Sequence, residues 1–428
     1  FILDGVWPAG TRVPSSRALA ADLQVSRNTA ILAVEQLIAD GWAESRSRSG
    51  VYVAASSSLV RPVAPTPVSR TNAELPPFAL QRPATDLFPA QIWKQLQARA
   101  WAEIEPQRLA SADPAGDAGL RDMIARLVCA PRGLRCHPDQ VIIVPTATAA
   151  IDLIGATLLR AGDAAMVETP GRASTRRLLE ARGARLCPVS ARPAGKGEHA
   201  LVPVRDARLA CIAPAVQYPL CTALDAGSRA QLIHWARMSG GWIVEDDRDA
   251  DLWGEDTPPL PLAAEDGERV MLVGSFNRVL FPGLCVAFLV APAALAERLR
   301  AMHAMIGGRA SLASQLALSA FIAEGHFARH VRRRRQAYAE RRAVLIEALE
   351  AAGIGTAGTS SAGLHLVLEL AGAEAAAARI AAEGLGGCAI DAGRLALGLG
   401  AAPDFIRAEA PRIAAVILAS QPPAKGHM

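Results

Sequence analysis

Short apolar runs recur along most of this chain, each followed by a stretch with helical spacing. Val141–Val144, Ala164–Val167, Ala210–Ala213, Trp242–Val244 and Val270–Val273 are examples. Runs that are short, and apolar at every position, suit strands covered on both faces. Strands alternating with helices place a largely parallel sheet between helical layers. The body of the chain is therefore expected to be α/β. From about residue 297 the spacing is mostly helical, with one strand-like segment, Leu364–Leu370.

The 428 residues suit two to three domains. An apolar fraction of 51% supports a large core and excludes global disorder. Net charge is small, 45 − 41 = +4, so no strong field steers a partner. Seven cysteines (129, 136, 187, 211, 221, 285, 388) include no CxxC pair, which argues against a zinc site or a disulfide framework and suits a reducing cytoplasm. Val279–Ala296 is uncharged over 18 residues, the nominal length of a membrane span. Pro282, Gly283 and Pro292 interrupt it, so two short buried strands around a turn are expected instead, and no membrane partner.

The first 54 residues read differently from the rest. Ser15 or Ser16 can cap a helix with Leu19, Ala20 and Leu23 on its apolar face. Gln24-Val25 makes a turn. Ser26 caps a second helix whose inward residues, Ala30, Val34, Leu37 and Ile38, share one side; Gly41 ends it. WAESRSRSGVYV then reads as a hairpin with a basic tip. Residues 1–54 hold five Arg and five acids, so basic groups act by placement, not by net charge. On pattern alone, a DNA reader and a small helical docking module both remain open. Residues 55–77, rich in Ser and Pro, read as a semi-extended linker, and the tail QPPAKGHM as disordered.

PAGTRVPSSRALAADLQVSRNTAILAVEQLIADGWAESRSRSGVYVA closely resembles the winged helix-turn-helix of GntR-type repressors. That resemblance implies a double-stranded DNA operator as partner, contacted by Arg17, Ser26, Arg27, Thr29 and the wing residues Arg46, Arg48, Ser49 and Gly50. It also implies that Phe1-Ile2-Leu3-Asp4-Gly5 is the last turn of a helix cut short. Downstream, SADPAGDAGLRDMIA, VETPG, QYP, VEDDRDAD, GSFNRVLFPGLCVAFLVAP and AGLHLVLEL follow in order. Together they resemble the fold type I aminotransferase domain of MocR-type regulators, which join a GntR-type winged helix to such a domain. The implied architecture is a winged helix at 1–54, a linker at 55–80, a pyridoxal-phosphate-transferase-like large domain at 81–296, and a small C-terminal α/β domain with dimer helices at 297–420. A cytoplasmic homodimer is implied with it.

The family cofactor is pyridoxal phosphate, which needs a lysine amine, a carboxylate at the pyridinium nitrogen, a stacked aromatic ring and phosphate donors. Asp246 matches the carboxylate. The lysine position holds Arg278, whose guanidinium is always protonated and a poor nucleophile. The phosphate arginine is Cys285, and the phosphate-cradling turn reads Thr146-Ala147-Thr148. The stacking aromatic is Arg172, a site tyrosine is Arg248, and Cys221 follows Tyr218 where a glycine is usual. Only three lysines exist, Lys94, Lys196 and Lys425, none near this strand. No cofactor is therefore assigned, and covalent binding least of all. A regulator holding pyridoxal phosphate noncovalently is the alternative reading; an active aminotransferase is a third. If Arg172, Arg248 and Arg278 converge, the pocket is cationic and suits a small anionic effector; an Asp246–Arg278 ion pair in an inert pocket is the other account. Arg394 matches the family arginine that grips a substrate carboxylate. Arg332–Arg335 is expected on a solvated or subunit-facing helix. No catalytic residue and no metal ligand is assigned.

Overall fold

Two units make up the chain, Phe1–Glu74 and Leu75–Met428. The computed structural model describes residues 1–421 apart from 3–5, 48, 56–74, 111–112, 196–197, 254–257, 358 and 360–361. Arg48, Lys196, Lys425, most of the expected linker, the tail and part of the opening helical turn lie outside the described residues.

In the first unit, helix α1 (Ser16–Asp22) and helix α2 (Arg27–Ala39) are followed by strands β1 (Ala43–Arg46) and β2 (Gly50–Val53). Ser15 Oγ accepts from the Ala18 amide to start α1, and Ser26 Oγ accepts from the Thr29 amide at 3.1 Å to start α2. Gln24, at φ +53, turns the chain between them. Val13, Leu19, Ala30, Ala43 and Val53 form the small core. Leu23, expected inward, is 51% exposed, because α1 ends one residue earlier and Leu23 becomes its C-cap.

The second unit begins with helices α3 (Ala90–Glu103), α4 (Pro106–Ala110) and α5 (Ala118–Met123). Strand β3 (Val141–Val144) leads to α6 (Ala147–Leu158), and β4 (Ala164–Thr169) to α7 (Ala173–Ala181). Strands β5 (Arg185–Ser190), β6 (Arg192–Gly195), β7 (Glu198–Ala200), β8 (Leu209–Ile212) and β9 (Ala223–Leu224) precede α8 (Ala226–Ser239). Then come β10 (Trp242–Asp246), α9 (Leu262–Glu265), β11 (Val270–Ser275), α10 (Phe276–Val279) and β12 (Ala287–Val290). The chain closes with α11 (Ala293–Ile306), α12 (Leu312–Ala323), α13 (His326–Ala351), β13 (His365–Glu369), α14 (Ala373–Ala382), β14 (Cys388–Asp391), β15 (Arg394–Gly398) and α15 (Pro403–Ser420).

Seven strands form the central sheet in the order β3-β12-β11-β10-β8-β4-β5. Only β12 runs against its neighbours, so six strands point their carboxyl ends the same way. Alternate residues face opposite layers, as the strand period demands: Ile142 and Val144 join the cluster with α6 and α11, while Val141 and Ile143 join the other. That two-sided burial explains the uninterrupted apolar runs.

Three sequence expectations change. Val279–Ala296 contains one strand, β12, rather than two; its first half is the end of α10 and a 3-10 turn, Pro282–Leu284, where Pro282 and Gly283 break strand pairing. The C-terminal region holds three strands, in the order β13-β15-β14, where one was expected. Arg334, within the run expected at a solvated or subunit-facing surface, is fully buried; it donates to the Ala84 carbonyl at 3.1 Å and to the Tyr338 hydroxyl at 3.2 Å. Arg332 and Arg333 are exposed.

Candidate functional site

In the first unit, α2 presents its N-terminal turn to solvent. Arg27 is its first residue and is exposed, as is Arg17 on α1. Ser26 and Thr29 are also exposed, but they serve the helix first: their hydroxyls lie 2.8 Å apart and Ser26 caps the helix. The hairpin pairs Arg46 with Gly50 in register. Gly50 sits at φ +113, a backbone conformation that favours glycine; a Cβ there would meet only the mobile end of the Arg12 side chain, with Nε at 3.0 Å. Arg46 does not project freely. Its Nε donates to Glu44 Oε1 at 2.9 Å, and its guanidinium lies 4.5 Å from the Tyr52 ring centroid. Ser49 Oγ lies 2.7 Å from the Tyr52 hydroxyl. Arg12 and Tyr52, which bridge across the wing, escaped the sequence reading.

In the second unit, the carboxyl ends of the parallel strands gather the expected pocket residues. An open α/β sheet offers its ligand crevice at that edge. Asp246 ends β10, Arg172 caps α7 after β4, and Arg278 lies in α10 just beyond β11. The Asp246–Arg278 pair of the inert-pocket account does not form. Arg278 Nε instead lies 2.6 Å from Asp249 Oδ1, and Asp246 takes Arg248 Nε at 2.6 Å and Arg172 Nε at 3.2 Å. Arg172 also donates from Nη2 to Asp249, and its guanidinium stacks 4.4 Å from the Tyr218 ring centroid. Asp249 was not singled out in sequence, yet it joins two of the three arginines. The shift of partner follows from the turn after β10, which brings Asp249 as well as Asp246 to the cluster.

The cluster is largely buried: Asp249 retains 6% side-chain exposure and Arg278 19%. Burial alone would raise the Asp249 carboxyl, but Arg278, Arg172 and Arg248 outweigh it and bring the group down to about 2. Burial lowers Arg248, with Asp246 opposing. Burial would also lower Arg172, yet Asp249 and Asp246 raise it on balance. The three guanidiniums thus face two carboxylates, a formal excess of one positive charge. Arg248 Nη2 is buried without a hydrogen-bond acceptor among the described residues.

The remaining expected positions have other occupations. Thr146 Oγ1 caps α6 by accepting from the Ala149 amide at 3.0 Å, and Ala147 begins that helix, buried. Asn277, beside Arg278, donates from Nδ2 to the Pro145 carbonyl at 2.9 Å and accepts from the Val286 amide at 2.8 Å. Cys285 is exposed at φ +53, and its thiol donates to the Pro282 carbonyl. Cys221 is buried 3.2 Å from His365 Nε2. Burial pushes that thiol up to about 12, which keeps it protonated and unreactive. Arg394 begins β15 and is held by Asp391, its Nε at 2.8 Å from Oδ2. Lys94, the one described lysine, is exposed on α3. No group of three or more His, Cys, Asp or Glu among the described residues could hold a metal. No described helix is long and apolar enough to cross a membrane.

A capped two-helix reader with a hairpin wing, followed by a six-parallel, one-antiparallel sheet with a basic and acidic cluster at its carboxyl edge, defines a DNA-binding unit fused to an aminotransferase-like body. The pattern of "Bacterial regulatory proteins, gntR family" matches residues 1–53, and that of "Aminotransferase class I and II" matches residues 83–396. "Probable rhizopine catabolism regulatory protein MocR" of Rhizobium meliloti is 34% identical over 366 residues, 81% of this chain and 74% of that protein. "HTH-type transcriptional regulator TauR" of Rhodobacter capsulatus is 31% identical, over 90% and 85% of the two chains. The crystal structure of an archaeal alanine:glyoxylate aminotransferase superposes with a TM-score of 0.71 at 20% identity, over 82% of this chain and 92% of that one, a likeness of fold. The chain belongs to the MocR-type GntR regulators, which carry a GntR helix-turn-helix and an aminotransferase class I and II domain.

Proposed function

We propose that this chain is a cytoplasmic transcriptional regulator that binds an operator through Arg17, Arg27 and the wing, and whose aminotransferase-like body performs no transamination. The observation that carries the second half is Arg278, which stands at the lysine position and is paired with Asp249. An arginine cannot supply the amine that pyridoxal phosphate requires. Asp246, the carboxylate for the pyridinium nitrogen, already faces Arg172 and Arg248. The residues present therefore do not fit the cofactor.

On this reading the division into 1–54, 55–80, 81–296 and 297–420 separates reader, linker, large domain and small domain. The body dimerises, which sets two readers on paired half-sites. Its single excess positive charge and the unmatched Arg248 Nη2 support a small anionic effector in place of the cofactor. The test is an absorbance spectrum of the protein with added pyridoxal phosphate, before and after borohydride and dialysis. No new band and no retained cofactor is expected. A band that borohydride reduces would overturn the reading, and a retained but unreducible cofactor would favour noncovalent binding. Arg278→Lys alone is expected to give no measurable turnover with amino acid and keto acid, since Asp246 stays occupied; robust turnover would show that the rest of the pocket is intact.

A further inference from the structure

Helix α13 has two contrasting faces. One is a buried stripe that carries Arg334, Tyr338, Arg341, Leu345 and Leu349. The opposite face is exposed, and its charges are sorted along the axis. Arg329, Arg332 and Arg333 occupy its N-terminal half; Glu340, Glu347 and Glu350 occupy its C-terminal half. At about 3.6 residues per turn, all of these charges fall within about 100° of the circumference. Gln336 and Ala343, also exposed, share the face.

This sorting gains the helix nothing by itself. Arginines toward the N-terminus and glutamates toward the C-terminus both oppose the helix dipole. Arg329 is three and four residues from Arg332 and Arg333, and Glu347 is three from Glu350, so like charges are neighbours. The rest of the body does not balance them. Arg332, Arg333, Glu340 and Glu347 meet no opposite charge among the described residues. Arg329 donates to the Glu324 carbonyl at 3.2 Å, while the Glu324 carboxylate is taken by Arg99. Glu350 accepts from the Thr356 hydroxyl.

We propose that this face pairs with the same face of a second copy, the two helices running antiparallel about a twofold axis. Arg329 and Glu350 lie equally far from the point between Ala339 and Glu340, and so do Arg332 and Glu347. An antiparallel partner centred there sets each of these arginines opposite a glutamate, twice over by symmetry. Ala339 and Ala343, near that centre, are small enough to let the axes approach. A nucleic-acid backbone fits the face less well, since it attracts the basic half and repels the acidic half. The proposal rests on the reading that the body dimerises, and names a surface through which copies meet.

The test uses Arg332→Lys in the full chain, which keeps the charge and supplies an amine. A carbodiimide joins that amine directly to a carboxylate it touches. Positions 332 and 347 of one helix are about 22 Å apart, too far to be joined within a copy. A peptide linking position 332 to Glu347 or Glu350, in a species of doubled mass, is expected wherever sedimentation shows association. Charge reversal gives a second readout. Arg332→Glu alone and Glu347→Arg alone should each weaken association roughly tenfold, because each sets like charges opposite one another twice. An equal mixture of the two should recover it, because unlike charges then meet. An associated protein with no such linkage, or a mixture that associates no better than either variant, overturns the proposal but not the wider reading of a dimer. A monomer under the same conditions overturns both. Loss of nonspecific DNA binding in Arg332→Glu, with association unchanged, overturns it in favour of DNA as the partner of this face.

Discussion

The two units use arginine in opposite ways. In the winged helix, Arg17 and Arg27 are exposed and meet no carboxylate among the described residues. In the aminotransferase-like body, Arg172, Arg248 and Arg278 are mostly withdrawn from solvent, and each faces Asp246 or Asp249. A guanidinium in water keeps its hydration and can wait for a phosphate. A buried one loses that hydration and needs a counter-charge within the protein. On the proposed function, a DNA phosphate at Arg27 would compete with water, whereas an anion entering the cluster would compete with two aspartates already in place.

The comparison breaks most readily at Asp249. Asp249→Ala leaves Arg172 and Arg278 short of a counter-charge, and removing one partner of a buried ion pair costs about 3–5 kcal/mol. The urea midpoint of the second unit should fall, while the signal of the winged helix stays in place. An unchanged midpoint would mean that solvent, not Asp249, balances these arginines.

Acid offers the next largest separation. Burial lowers His365 to about 4, with the hydrogen bond to the Pro219 carbonyl opposing. Burial likewise lowers His330 to about 4, opposed by the Val279 carbonyl. Each ring is held neutral in the fold but takes a proton once unfolded. Their contribution is whole above pH 6.5, the ordinary histidine value, and is lost as pH falls toward 4. For fully buried His365 the loss is on the order of 3 kcal/mol. Asp249, held at about 2, adds a later loss: its stabilisation is complete above 3.8 and disappears as pH falls through 2. The winged helix has no histidine in residues 1–54, so it should keep its structure between pH 6.5 and 4 while the body weakens. Denaturation melts at a series of pH values, read by one probe in each unit, measure the difference; parallel loss in both units would remove it.

How much of this was legible depended on whether a residue's role is local. Ser26 as a cap, Gly50 in the wing and the apolar strands follow from spacing and backbone preference, and the structure has them where the sequence puts them. Asp249 was invisible because its partners are Arg172 and Arg278, at distances of 77 and 29 positions along the chain, and no local pattern pairs them. Arg334 was misread because pattern reading sends arginine to the surface. Its helix buries Arg334, Tyr338, Arg341, Leu345 and Leu349 along one stripe, with backbone carbonyls accepting from the arginines. Strands β14 and β15 were missed because Cys388–Asp391 and Arg394–Gly398 carry only one β-branched residue between them, Ile390.

Arg27→Ala sharpens the other side of the comparison. An exposed contact at the start of a recognition helix should cost about 1–3 kcal/mol of operator affinity and almost nothing in stability. Fluorescence anisotropy with operator DNA, alongside a thermal melt, separates the two. Unchanged affinity would remove Arg27 from the DNA-binding set, and a large loss of stability would make it a structural residue like those of the body.

Arg46 is the exception inside the winged helix, since Glu44 and Tyr52 hold it much as aspartates hold the buried arginines. It is far more exposed, at 52% of its side chain, so the pair with Glu44 is worth little, at most about 1 kcal/mol. Glu44→Gln should leave stability nearly unchanged, relieve one negative charge at the wing and free the guanidinium for phosphate. Affinity for nonspecific DNA should then rise about two- to threefold, and the salt dependence should steepen by about one phosphate contact. If the slope stays the same, the Tyr52 ring alone keeps Arg46 folded back, and the wing reads DNA through its tip rather than through this arginine.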